Sequence, residues 1–192
     1  MKRLIYTFLM SLICLMIYSQ DNYILDSKNS TITIKGTSTF HDWEASSNAA
    51  VIDLLADIKD SEVKRLSSVN LLLKVVTLKS DSRRLDRKIY KALKANDYPY
   101  ITFVLTKVVH LSNQKIEVEG NLTINGVTRK ITVNQEVTFN NNGEEMIIVL
   151  GSKKINMKDF GVKPPKFLFG AFKTGRFVTV DFHIYFRRIN TN

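Results

Sequence analysis

Residues 115–139 read KIEVEGNLTINGVTRKITVNQEVTF, and the period of this stretch decides the fold class. Ile116, Val118, Leu122 and Ile124 fall on one side of an extended chain, with Glu117, Glu119, Asn121 and Thr123 on the other. After Asn125-Gly126 the alternation resumes with Val127, Ile131, Val133, Val137 and Phe139. A two-residue period of this length marks antiparallel strands with one buried face. Asn-Gly between two such runs predicts a tight hairpin, because both residues tolerate the positive φ that the turn requires.

The same period recurs outward from this hairpin. FVTVDFHIYF sets Val178, Val180, Phe182, Ile184 and Phe186 against Thr179, Asp181, His183 and Tyr185. Further strands are expected in STITIKG, SSVNLLLKVVTL, ITFVLTKVVHL and EEMIIVLGS, with turns at Ser112-Asn113 and residues 140–143. One segment departs from the pattern. In RRLDRKIYKALKAN, Leu85, Ile89 and Leu93 stand four apart among charged residues, which predicts one amphipathic helix over about residues 83–95. Asn96-Asp97 end it, and Tyr98-Pro99 forces an extended exit. With no linker, repeat or charge block, the chain reads as one all-β domain over residues 21–192. Closing about eight antiparallel strands into a barrel relieves their edges. A barrel of that size is either filled by side chains or holds a ligand, and periodicity does not say which.

Residues 1–20, MKRLIYTFLMSLICLMIYSQ, have the short basic start, apolar run and small polar end of a cleaved signal peptide. The run is shorter than a membrane-spanning helix needs, and the expected location is periplasmic or otherwise exported. Cys14 follows the bulky Ile13, where acylation wants a small residue, and reads as a plain apolar residue of the signal. The remainder has no cysteine, so neither disulfides nor thiolate metal sites are expected. The net charge is +10, or +8 without Lys2 and Arg3. That balance suits phosphate groups or an anionic membrane surface as well as a solvated exterior, and export makes nucleic acid the least fitting partner.

FHDWE, residues 40–44, holds the only tryptophan and one of three histidines. On a strand His41 and Trp43 share a face and Asp42 points away, so a His41–Asp42 dyad is not expected. Phe40 beside Asp42 mixes an aromatic with a charge, which suggests a bend or bulge. Trp43 reads as barrel wall, and His41 as a structural histidine or a head-group contact. His110 and His183 lie far apart, and no metal spacing, GxSxG, phosphate-cradling glycine loop or cysteine nucleophile is present. The expectation is a protein without cofactor or metal, and not an enzyme.

KGTSTFHDWE, LDRKIYKALKANDYPYITF, GNLTINGVTRKITV and KDFGVKPP, in that order, resemble the YceI-like, polyisoprenoid-binding family, and look most like its Bacteroidetes-type branch. The resemblance runs from about Tyr23 to Arg187, with LTINGVTRKITV its most specific part; the family's usual histidine there is Asn125 in this chain. It implies a lipocalin-like antiparallel barrel in the periplasm with an elongated apolar cavity, where family members hold a long isoprenoid or another amphiphile.

The residues themselves offer aromatic surface for such a cavity. In residues 153–176, KKINMKDFGVKPPKFLFGAFKTGR, seven cations face the single acid Asp159, interleaved with phenylalanines. Prolines and glycines predict a long irregular loop, of the kind that sits over a barrel mouth. Phenylalanines inward with lysines outside would hold an apolar tail and a phosphate head; the plainer reading is a capping loop. The candidate ligand-binding residues are His41, Trp43, Phe103, Phe160, Phe167, Phe169, Phe172, Phe182, Lys163 and Lys166. Two other readings stay open: a solid barrel that works through its surface at the cell envelope, and an enzyme on lipid substrates with His41 or His183 as general base.

Overall fold

The computed structural model describes residues 23–38, 41–140, 146–163, 166–167 and 172–188, with backbone alone at 166–167 and 172–174. The expected signal peptide lies outside the described residues. Among the described residues eleven strands form: β1 (Tyr23–Leu25), β2 (Thr31–Ser38), β3 (Trp43–Ser47), β4 (Val51–Lys59), β5 (Glu62–Lys74), β6 (Tyr100–Leu111), β7 (Lys115–Ile124), β8 (Val127–Asn140), β9 (Met146–Asn156), β10 (Lys166–Phe167) and β11 (Phe172–Arg188). Among the described residues one α-helix forms, α1 (Arg83–Ala92), between β5 and β6.

Nine strands are hydrogen-bonded in the order β3-β2-β11-β9-β8-β7-β6-β5-β4, and β1 and β10 add to β11. Every pairing is antiparallel. The sheet curls with its apolar side inward, as the alternation predicts. Its end strands β3 and β4 share no ladder; the Ser46–Lys79 bridge and a 2.8 Å bond between the Ser47 and Thr77 hydroxyls tie β3 to the segment leaving β5. The result is a curled, barrel-like sheet whose ends β3 and β4 are not paired with each other.

The Asn125-Gly126 hairpin forms as the sequence predicts. Both residues have positive φ, 54° and 75°, the geometry of the turn whose twist matches its flanking strands. Pairing then runs unbroken from Ile124↔Val127 to Lys115↔Glu136. The opposite edge of β8 behaves differently. It pairs with β9 only from Gln135↔Gly151 to Asn140↔Met146. Residues 129–134 of β8 and 152–156 of β9 therefore diverge and leave a gap in the wall.

The structure sharpens two sequence expectations and corrects a third. The helix ends at Ala92 because Lys94 turns to φ 48°; Ala95 then donates to the Tyr90 carbonyl at 2.9 Å and Lys94 to the Lys91 carbonyl at 3.2 Å, a left-handed cap. Of the bend or bulge expected at FHDWE, the structure has a chain reversal: β2 stops at Ser38, β3 starts at Trp43 and the two pair antiparallel, with Phe40 outside the described residues. The Ser38 hydroxyl donates to the His41 carbonyl at 2.7 Å within that turn. Residues 153–176 are not one loop, since Lys153 and Lys154 belong to β9 and residues 172–176 to β11. Between them, Met157–Phe160 make a 3-10 turn whose Asn156 side chain accepts from the Lys158 amide.

Candidate functional site

The inward side chains do not fill the barrel. They surround a cavity of about 260 Å³. Its lining runs from Ile89 and Ala92 of α1 and the following Leu93, with Met157 and Phe160 of the 3-10 turn, to Ile58, Val63 and Ile116 near the opposite hairpins. Along β5 alone it extends from Val63 to Leu73, roughly 30 Å of strand before tilt is considered. A volume of this size over such a length is a thread-like channel. Ile89 is buried on the inner face of α1, so the helix plugs one mouth of the barrel.

Glycine explains why three large rings leave the lumen open. A Cβ on Gly36 would lie 2.3 Å from the Trp43 ring, one on Gly120 2.2 Å from Phe103, and one on Gly151 2.1 Å from Phe182. Each ring thus rests where a neighbouring strand has no side chain. Gly36↔Trp43 and Gly151↔Phe182 are direct cross-strand partners, and Phe103 sits diagonal to Gly120. The wall gains aromatic surface without losing the channel.

Among the sequence candidates, Trp43, Phe103, Phe160 and Phe182 line this cavity. His41 is exposed on the β2–β3 turn and Lys163 is exposed beyond the 3-10 turn; neither lines it. Phe169 lies outside the described residues, as do the side chains of Phe167, Phe172 and Lys166. Most of the lining is aliphatic. The two polar residues among the described lining are Gln135, which sequence reasoning missed, and Lys153, which it placed outside the barrel among the basic residues of 153–176. Each is visible in the sequence as one polar residue on an otherwise apolar face, Gln135 between Val133 and Val137, Lys153 before Ile155.

Asn125, where the resemblance leads one to expect histidine, is buried and has a structural task. Its side-chain amide donates to the Phe160 carbonyl at 3.2 Å, binding the hairpin to the 3-10 turn. Its Oδ1 has no partner among the described residues.

His41, His110 and His183 are all exposed and none lines the cavity. Among the described residues no three of His, Cys, Asp and Glu converge as a metal cluster would. The carboxylates with displaced pKa values lie outside the cavity. Burial works against the charged form of Asp86, yet the Ser80 hydroxyl (2.6 Å) and amide (2.7 Å) hold it below the usual range. Asp26 is lowered first by the Asn29 side chain at 2.8 Å, with backbone bonds and Arg187 adding. Asp181 is lowered by the Ser152 hydroxyl at 2.7 Å and by Lys35 at 2.9 Å. These groups anchor turns and strands.

A family model described as a YceI-like domain matches residues 23–186. The UPF0312 protein of Vibrio parahaemolyticus is 33% identical over 101 residues, which is 50% of this chain and 53% of that protein. The UPF0312 protein of Pseudomonas savastanoi pv. phaseolicola is 28% identical over 134 residues, 66% of this chain and 64% of the relative. The chain thus spans about half to just under two thirds of the length of these curated relatives. Among solved structures, BcnA of Burkholderia cenocepacia superposes with TM-score 0.69 at 19% identity, covering 84% of this chain and 98% of that one. A polyisoprenoid binding domain from Saccharophagus degradans gives 0.64 at 14% identity, covering 87% and 98%. At such identities the likeness is one of fold.

Proposed function

The chain belongs to the YceI-like family, and on that footing we propose that it is an exported, periplasmic binding protein that encloses one long apolar chain, a polyisoprenoid or similar amphiphile. The cavity carries this reading. At about 24 cal/mol per Å³, an empty apolar cavity of this volume costs on the order of 6 kcal/mol. That rivals the whole stability of an ordinary domain, so an apolar occupant contributes substantially. Each methylene withdrawn from water adds about 0.8 kcal/mol. The narrow, elongated shape suits a linear tail over a fused-ring molecule, and it selects on tail length more than on detail. The solid-barrel alternative does not suit a wall whose aromatics are withdrawn onto glycines. General-base chemistry does not suit exposed histidines. The basic charge fits loading at an anionic membrane face, and residues 1–20 fit export.

Trp43, the only tryptophan, lines the cavity and reports on its filling. Titration with n-alkanols of increasing length is expected to shift its emission, with affinity rising at each added methylene until the channel is full. Emission and affinity indifferent to chain length would contradict the reading.

A further inference from the structure

We propose that the gap between β8 and β9 seats an anionic head group, phosphate or carboxylate, of the amphiphile whose tail fills the barrel; this rests on the cavity being a tail site. Both polar residues of the described lining stand at this place. Gln135 forms the last β8–β9 pair with Gly151, and Lys153 lies two residues further along β9, where the strands have parted. On β9 the inward positions are Ile147, Val149, Lys153 and Ile155, so Lys153 rises from the lumen face, and it is half-buried there. A lysine on such a wall rests its stem on apolar surface and offers its ammonium as a point charge to an anion.

Outside the gap lies a second cavity of about 400 Å³, lined by Arg129, Lys130, Lys153, Lys154 and one carboxylate, Asp159. It shares Ile131, Lys153, Ile155 and Phe160 with the inner cavity, so these side chains border both spaces. Two of the cations and the carboxylate are already engaged. The Arg129 guanidinium donates to the Asp159 carbonyl at 3.1 Å, Lys154 lies 4.8 Å over the Phe177 ring, and Asp159 accepts from the Asn156 amide at 2.9 Å. Lys130 and Lys153 have no ion pair among the described residues. Residues 129–134 of β8 pair only with β7 and residues 152–156 of β9 only with β11, so the edges that face the gap have no strand partner. An amphiphile lying in the channel would leave it sideways here, its head among lysines and its tail among isoleucines.

The test follows Trp43 emission on titration with n-dodecyl phosphate and n-dodecanol, each below its critical micelle concentration, and with inorganic phosphate alone. The unaltered protein is expected to bind the phosphate ester tighter than the alcohol by about tenfold or more. Lys153→Met, which keeps the length of the stem, is expected to remove that preference while dodecanol is still bound. Lys130→Gln, at the exposed rim, is expected to reduce it. Inorganic phosphate is expected neither to change emission nor to displace the ester. A preference unchanged in both variants would overturn the assignment, and equal binding of the two probes by the unaltered protein would overturn it while the tail cavity stands. Displacement by inorganic phosphate would make this a free-anion site and overturn the head-group seat. Binding of neither probe would overturn both readings.

Discussion

Along its edge with β7, strand β8 is paired residue for residue from Val127 to Glu136, whereas along its edge with β9 it is paired only from Gln135 onward. The first edge starts at a two-residue turn that fixes register at once, and each following pair is local in sequence. The second starts at the far end of the strands, and its pairing fades with distance from that end. Carrying its register on would set Lys130 diagonal to Lys154 on the outer face, a like-charge approach that disfavours pairing. One strand therefore serves as closed wall on one side and as the border of an opening on the other.

The largest expected effect comes from breaking the well-paired edge. Gly126→Val places a branched side chain at φ 75° with its Cβ 2.4 Å from the Tyr98 ring, and should cost about 3 kcal/mol, read as a fall in midpoint on thermal unfolding. Acid comes next, and it acts on the other side of β9. Asp181 on β11 joins Ser152 of β9 and Lys35 of β2, while Asp26 and Asp86 anchor turns. All three have folded pKa values below their unfolded ones, so their contribution is complete above about pH 4 and is lost as pH falls through the lowered values. The melting midpoint should stay level from neutral pH to about 5 and drop below about 4.

A smaller effect is expected at the last pair before the gap. Gly151→Ala displaces the Phe182 ring into the lumen at a cost of about 1 kcal/mol, and the longest alkanols should lose affinity more than the shortest. Equal losses at all lengths would mean the ring does not bound the channel. The smallest effect sharpens the contrast: Lys130→Gln, on an exposed unpaired edge, should change unfolding free energy by no more than about 0.5 kcal/mol in a denaturant melt.

The elements with a clean period were legible in the sequence: the β7–β8 hairpin, β11 and the helix. β4 was not assigned, and the reasons are physical. Its outward residues include Val51 and Leu55, both exposed, which blur the alternation of Ile52, Leu54, Ala56 and Ile58. Its turn into β5 uses Asp60-Ser61, each at φ 55°, without a glycine to mark it. Which ring covers which glycine depends on register between strands, which alternation does not give. The gap was illegible for a related reason, since alternation tells which way a side chain faces and not how far two strands stay together. Gln135 and Lys153 left single breaks in their patterns, and only the fold sets those breaks side by side.

The claim that the barrel holds a long apolar molecule is tested most directly by native mass spectrometry of the protein purified under mild conditions, before and after extraction with organic solvent. The account predicts a discrete added mass that the solvent removes and that returns on addition of a polyprenyl phosphate or a fatty acid. A bare polypeptide mass that stays bare after either addition would contradict it.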